Sequence, residues 1–328
     1  MNAAVRPSSA RDLAGLWMAI AASVAFSGKA IIVKLSYRHG VDALTLIMLR
    51  MLVALPLFLL LVWWAGRGRP ALDPRTRVQV LALGFSGYYL ASLLDFLGLQ
   101  HITASLERLI LYLMPMVVLG LNRLLFGQRA TARQLGALLL GYGGLALVFG
   151  HELRLDGPQV ATGAALVFAS TLSYAAYLVG SGRVVARVGA LRLSALAGSV
   201  ACGLCLAHWL LARVWQVVQE PAWPGGAAAG GSGGLAAVWW QASGLPAVAT
   251  EVWWLALLNG TLCTVLPVAL TMAAIERIGA SRAAQLGMIG PLSTIALGIV
   301  LLGEPLTGWL LAGSACVLAG VALLARGR

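Results

Sequence analysis

Charge is what this sequence has least of. Only 10% of its 328 residues are Asp, Glu, Lys or Arg, against about 25% in an ordinary soluble domain. Hydrophobic residues make up 60% and the mean hydropathy is +0.88. These values exclude a water-soluble enzyme, a disordered chain and a nucleic-acid binder. Cysteine is scarce too: Cys202, Cys205, Cys263 and Cys316 all fall inside apolar runs, where a thiol behaves as a small hydrophobe. Cys202 and Cys205 have the spacing of a redox or zinc pair, but no second Cys/His pair accompanies them, and helix packing is the better account. His39, His101 and His151 lie in loops and His208 stands alone in an apolar segment. No convergent catalytic set, metal-binding pattern or nucleotide-binding pattern is present, so no metal and no cofactor are expected. Lysine is nearly missing, 2 against 21 Arg in an Ala- and Gly-rich chain, which suggests a GC-rich bacterial genome.

What the sequence has instead is long apolar runs. A helix needs about 20 apolar residues to cross about 30 Å of hydrocarbon. Cutting at charge clusters and Gly/Pro breaks leaves ten such segments: Leu13 to Leu35, Ala43 to Trp64, Val78 to Leu99, Thr103 to Phe126, Gln134 to Phe149, Ala161 to Leu178, Leu193 to Leu211, Val252 to Ala274, Ala280 to Leu302, and Leu306 to Leu324. The first has no small-residue cleavage site and runs into Lys34 and a second span, so it is not read as a signal peptide. Basic loops are retained in the cytoplasm. Placing the N-terminus inside gathers fifteen arginines on that side, from Arg6 to Arg328, and leaves only Arg38, Arg154 and Arg213 outside. The expectation is a multi-pass protein of a bacterial inner membrane with both termini cytoplasmic. Most of the +12 net charge is then a topology signal, since a face that bound nucleic acid would not alternate with every second loop.

Offsetting the chain by 176 residues aligns Ile102-Thr-Ala-Ser105 with Ile278-Gly-Ala-Ser281, Pro115 with Pro291, Gly127-Gln128 with Gly303-Glu304, and Thr131 with Thr307, giving twelve identities over the 47 positions from Ile102 to Val148. The chain therefore divides into a cytoplasmic tail at 1–12, a five-helix repeat at 13–149 and a second at 157–324. An external insert at 219–250, containing PAWPGGAAAGGSGG, reads as a flexible neutral linker rather than a lid. Five spans per copy is an odd number, so the second copy enters the membrane from the opposite side. The expected fold is an all-α integral membrane protein of ten transmembrane helices, built as two inverted five-helix repeats around a central cavity. This is the architecture of alternating-access carriers, whose site lies near the midplane between the repeats.

The run from Leu99 to Phe149, with a small-residue entry, a helix proline, a G-[EQ] turn and a Gly-rich helix, resembles the latter part of an EamA domain of the drug/metabolite transporter superfamily. The run from Ile275 to Leu324 carries the same order, and Arg50 in the second span matches a frequent feature of that family. The resemblance covers nearly the whole chain outside the tail and the insert. It implies secondary transport, often export, of small metabolites such as amino acids. Gln128 stands where the second copy has Glu304, so no coupling role is assigned to that turn.

Apart from Arg282 at the start of the ninth segment, which is counted with the cytoplasmic arginines, seven charges remain inside the spans: Lys29, Lys34, Arg50, Arg108, Arg123, Asp95 and Glu107. Each costs at least ~2.5 to 3.5 kcal/mol at the membrane centre without a partner or water. Lys34 and Arg123 lie near span ends and snorkel. At about 1.5 Å per residue from the outer end of each span, Lys29 and Arg50 lie about 9 to 10 Å deep and Asp95, Glu107 and Arg108 about 6 to 8 Å. A common depth suits a shared polar site, and equally a structural network tying four helices together. In the expected pairing Asp95 takes Lys29 or Arg50, Glu107 takes the other, and Arg108 is left over. Three cations against two anions leave +1 for an anionic or zwitterionic substrate. Adjacent residues point about 100° apart on a helix, so only one of Glu107 and Arg108 faces the pathway, with Tyr112 on the Arg108 stripe. Asp95 ends a polar stripe with Tyr88 and Ser92 and is preferred over Glu107 as a proton carrier, set against a role as a permanently ionised partner of Lys29. From the second half, Tyr174, Asn259 and Gln285 are pathway candidates, whereas Ser170, Cys263 and Ser281 are assigned to packing. Pro115 and Pro291 are repeat mates whose kinks would line two gates.

The function expected is secondary active transport, as a proton-coupled exporter of a small polar anionic or zwitterionic metabolite. An integral-membrane enzyme acting on lipid and a passive channel are the alternatives. The expected partners are a small-molecule substrate, a proton and the lipid bilayer, with no nucleic acid, and the sequence leaves a homodimer open.

Overall fold

The computed structural model describes residues 10–127, 131–219, 244–278, 286–287 and 289–325. The tail through residue 9, Gln128, Ser281, Gln285 and residues 220–243 of the insert, with Trp239 and Trp240, lie outside the described residues. The regular structure described is entirely helical: α1 (Ala10–Arg38), α2 (Ala43–Gly66), α3 (Pro74–Leu99), α4 (Ala104–Tyr112 continued by Met114–Phe126), α5 (Ala132–Asp156), α6 (Gln159–Val188), α7 (Ala190–Gln219), α8 (Thr250–Gly260 continued by Leu266–Ile278), α9 (Ile289–Leu302) and α10 (Gly308–Ala325). Eight of them are long and apolar enough to cross a membrane, and α9 and α10 are shorter apolar helices. Large apolar side chains cover the outside, with Leu124, Leu139 and Val300 each more than 70% exposed. A surface of that kind is stable only in lipid, and the chain is a multi-pass membrane protein.

Short polar residues start the helices. Asp42 accepts from Thr45 N–H, Asp73 from Thr76 N–H and Thr103 from Leu106 N–H, each satisfying one of the orphan donors of a first turn. Thr131 and Gln134 form a reciprocal capping box at α5. Thr307, the repeat mate of Thr131, accepts from Leu310 N–H at α10. The two copies thus begin their last helix with the same device.

Repeat mates cross in opposite senses. Where α5 meets α10, Ala137 and Gly141 lie against Gly320, and Gly144 and Val148 against Gly313. Residue numbers rise along one helix as they fall along the other. Between α2 and α7 the same holds: Thr45 touches Trp209, Met51 touches Cys202 and Phe58 touches Gly198. Helix packing also survives exchange of the halves, because α1 packs on α8 and α9 while α6 packs on α3 and α4. The duplication inferred from the 176-residue offset is therefore an inverted one.

Three described helices widen locally into π-helical turns, at Phe85–Leu90 in α3, at Thr261–Val265 in α8 and at Gly298–Leu302 in α9. The first two start 176 residues apart, so they are repeat mates. A π turn leaves one carbonyl per bulge poorly placed for the helix, and neighbours answer it here. Ser86 O accepts from Ala91 N–H and also from Ser173 Oγ of α6, and Ser170 Oγ donates to Ala91 O. Packing is the role the structure gives Ser170.

Close approach of α5 and α10 depends on missing side chains. A Cβ at Gly144 would stand 2.6 Å from Cys316 Cβ and 2.7 Å from Gly313 O, whereas one at Gly136 would meet nothing within 4 Å. Gly144→Val is expected to destabilise by about 1–3 kcal/mol through overpacking, whereas Gly136→Val is expected to leave stability unchanged or slightly raised, because valine is no worse a helix former than glycine. Thermal unfolding of the two variants in detergent tests this. Equal midpoints would remove the close-packing role.

Candidate functional site

A cavity of about 370 Å³ lies between the halves. Its wall takes Lys29 from α1, Arg50 from α2, Tyr88, Ser92 and Asp95 from α3, Arg108 and Tyr112 from α4, Tyr174 from α6, and Cys263 and Thr264 from α8. The π turns place much of that lining: Gly87 and Cys263, Tyr88 and Thr264, and Ser92 and Val268 are pairs of repeat mates, and all six border the cavity. The cavity therefore sits on the pseudo-twofold relation between the repeats, with its ionic groups drawn from the first half alone.

Those charges pair differently from the sequence expectation. Lys29 Nζ donates to Asp95 Oδ2 at 2.5 Å and lies 3.0 Å from Glu107 Oε1, an ion pair off the hydrogen-bond direction. One ammonium serves both carboxylates, because α1, α3 and α4 converge on it. Arg50 is left to other partners: Nη2 donates to Ser92 Oγ at 3.0 Å and the guanidinium lies 4.8 Å from the Phe96 ring centroid. Arg108 Nε donates to Thr294 Oγ1 of α9 at 2.7 Å, which ties the first half to the second. The correction is thus that neither carboxylate forms an ion pair with an arginine.

Of the remaining candidates, Glu107 is fully buried and is joined to the cavity through Lys29, while Arg108 borders it, as their separation around the helix requires. Asn259 is fully buried away from the cavity wall, and Gln285 lies outside the described residues. Tyr88, Tyr174 and Tyr177 form an aromatic cluster with centroids 5.3 to 6.5 Å apart. Tyr112 Oη donates to Gly287 O at 2.7 Å. Helix α4 breaks at Leu113, with Pro115 opening its second part, and Pro291 lies in the first turn of α9.

One residue set aside on sequence grounds holds the halves together. Gly303, with φ +73°, turns the chain so that Glu304 reaches the start of α4, where its carboxylate accepts from Ala104 N–H, Ser105 N–H and Ser105 Oγ at 2.6 to 3.2 Å. A Cβ at Gly298 would stand 2.8 Å from Glu304 Oε2, so the space for the carboxylate depends on that glycine. The signal lay in the Ala-Ser pair of the repeat motif, whose free N–H groups call for an acceptor. Glu304 also borders a chamber of about 610 Å³ with Lys34, Tyr37, Arg38 and Asp42. Phe96 links a residue of each wall: Tyr37 Oη donates to its carbonyl, and Arg50 stacks on its ring.

The sequence profile of the EamA-like transporter family matches residues 13–150 and again 161–326. The chain belongs to the EamA-like transporter family. It is similar to the uncharacterized transporter YcbK of Bacillus subtilis (strain 168), 31% identical over 300 residues that cover 89% of this chain and 86% of YcbK. The uncharacterized transporter YetK of the same organism is 23% identical over 182 residues, 55% of each chain. A solved crystal structure superposes with a TM-score of 0.54 at 20% identity, covering 95% of this chain and 97% of its own, which bears on the fold alone.

The triad makes a stability prediction. Removing Lys29 leaves two carboxylates facing each other without their cation, and breaking a buried pair costs about 3–5 kcal/mol. Lys29→Met is expected to lower the thermal midpoint in detergent sharply, and the triple exchange with Asp95→Asn and Glu107→Gln to restore most of it. A triple variant as unstable as the single one would show that charge compensation is not what Lys29 supplies.

Proposed function

We propose that this protein is a secondary active transporter that moves a small anionic or zwitterionic metabolite through the central cavity by alternating access, as a proton-coupled exporter of the bacterial inner membrane with both termini cytoplasmic. The observation that carries this reading is a polar cavity on the pseudo-twofold relation between two antiparallel halves. Such symmetry gives two conformations of nearly equal energy, one open to each side. The orientation rests on the arginine asymmetry of the loops, and it places the Glu304 chamber on the external face. Export is the direction the family resemblance implies.

The electrostatics support the substrate class and the coupling ion. Lys29, Arg50 and Arg108 exceed Asp95 and Glu107 by one positive charge, and Arg50 Nε has no hydrogen-bond partner among the described groups. A carboxylate or phosphate on the substrate would balance that excess and meet the free N–H. Within the triad two carboxylates share one ammonium, so a single proton neutralises it. Asp95 borders the cavity and Glu107 does not, which favours Asp95 as the group that exchanges a proton with the pathway. The Tyr88 and Tyr174 rings, which also line the cavity, offer an apolar surface to the less polar part of the substrate.

Counterflow in proteoliposomes against a panel of amino acids and organic acids, with and without a pH gradient, tests the reading. Saturable exchange is expected. Linear, ungated flux would indicate a channel, and lipid turnover without flux an enzyme. Asp95→Asn is expected to abolish gradient-driven uptake while exchange stays measurable. Proton coupling of wild-type strength in that variant would remove Asp95 from the mechanism.

A further inference from the structure

A second pocket of about 370 Å³ opens at the opposite end of the bundle from the Glu304 chamber, where the end of α2, the start of α7 and α8 meet. Its wall carries Arg67, Arg69 and Arg192, and no carboxylate among the described residues. The site is built rather than left over from a loop. Arg69 Nη1 donates to Val188 O at 2.7 Å and Arg192 Nη2 donates to Pro70 O at 3.1 Å, so the α2–α3 and α6–α7 connections clamp each other. Gly189, with φ +88°, makes room for this arrangement, since a Cβ there would stand 2.6 Å from Arg69 Nη1. Each clamping guanidinium uses one N–H group on a carbonyl and keeps others for a further acceptor. Arg67 is held differently, 3.6 Å over the Trp63 ring, and no carbonyl takes its N–H groups in the clamp.

The remaining wall is apolar. Trp64, Met272 and Ile275 line it, and Trp64 is 59% exposed on the lipid-facing surface. Three cations above an apolar slope facing the bilayer match one kind of molecule. It must be anionic at the headgroup level and hydrocarbon below. Tryptophan beside arginine at the end of a membrane helix sets the depth at the interface.

We propose that this pocket binds the phosphodiester headgroup of an anionic phospholipid, with Arg67 and Arg192 on the phosphate oxygens, Arg69 completing the positive wall, and an acyl chain running along Trp64 and Met272. The site is separate from the central cavity and does not depend on the transport reading. Bound there, the lipid joins α2 and α7, which are repeat mates, to α8. It therefore acts on the junction between the halves rather than on the substrate site.

The test is the thermal midpoint of the full chain in dodecyl maltoside, titrated with phosphatidylglycerol, with phosphatidylcholine or with inorganic phosphate. Phosphatidylglycerol is expected to raise the midpoint saturably and phosphatidylcholine to leave it unchanged. A matching rise with inorganic phosphate would keep the phosphate site but assign it to a soluble anion, overturning the lipid. Removing two contacts of about one interfacial arginine's worth each, in R67Q/R192Q, is expected to weaken phosphatidylglycerol about 30-fold. The control R75Q/R77Q, which removes the same charge from the same end outside the pocket, is expected to bind as wild type. Equal losses in both double variants, or no lipid-dependent rise in the wild type, would overturn the proposal. If R67Q/R192Q does not fold, R67Q alone decides it, because that exposed side chain takes no part in the clamp.

Discussion

The structure depends on one ammonium group between two carboxylates. Lys29, Asp95 and Glu107 meet where hydrocarbon surrounds the bundle, and no member of the three is tolerable there without the others. Their pairing fixes the mutual position of α1, α3 and α4 at one depth. Everything else polar in the cavity is arranged around that point. Arg50 forms no ion pair with either carboxylate, and Ser92 and the face of Phe96 hold it. Arg108 turns the other way around α4 and reaches Thr294 in the second half. A single ionic contact within the first repeat thereby sets where the two repeats touch.

The cavity itself needs a departure from regular helix. Regular α3 and α8 would present side chains at a constant pitch. The π turns at Phe85–Leu90 and Thr261–Val265 insert one residue each and swing Tyr88 and Thr264 to the cavity wall. Their cost is displaced carbonyls, which Ser173 answers for Ser86 and Thr264 Oγ for Asn259 O. That the same distortion recurs at equivalent positions, with unlike residues in it, points to backbone shape as the shared requirement of the two copies.

The helices, their number and the inverted duplication were legible in the sequence because hydropathy, loop charge and the 176-residue offset are strong and independent signals. The common depth of Lys29, Arg50 and Asp95 was legible from helix rise alone. Partner choice was not. It depends on which way each side chain leaves its helix, and Lys29 took both carboxylates where one apiece was expected. Asn259 shows the same limit: span and depth suited a pathway residue, yet its face of α8 turns into the protein. The π turns left no trace in composition, since FSGYYL and TLCTV share no residue pattern.

Glu304 shows what inversion does with unlike residues at equivalent positions. Its carboxylate gathers three donors from the start of α4, and charge-assisted bonds of this kind are about twice as strong as neutral ones. Those three bonds share one acceptor group, so they form or break together. Its repeat mate is Gln128, and the mate of Gly298, whose bare backbone makes room for the carboxylate, is Asn122. An amide has one acceptor oxygen where a carboxylate has two, so the two copies differ in the chemistry of this turn although the fold that builds them is symmetric. Separating α4 from the end of α9 requires losing the whole cap at once, which makes that junction two-state rather than gradual.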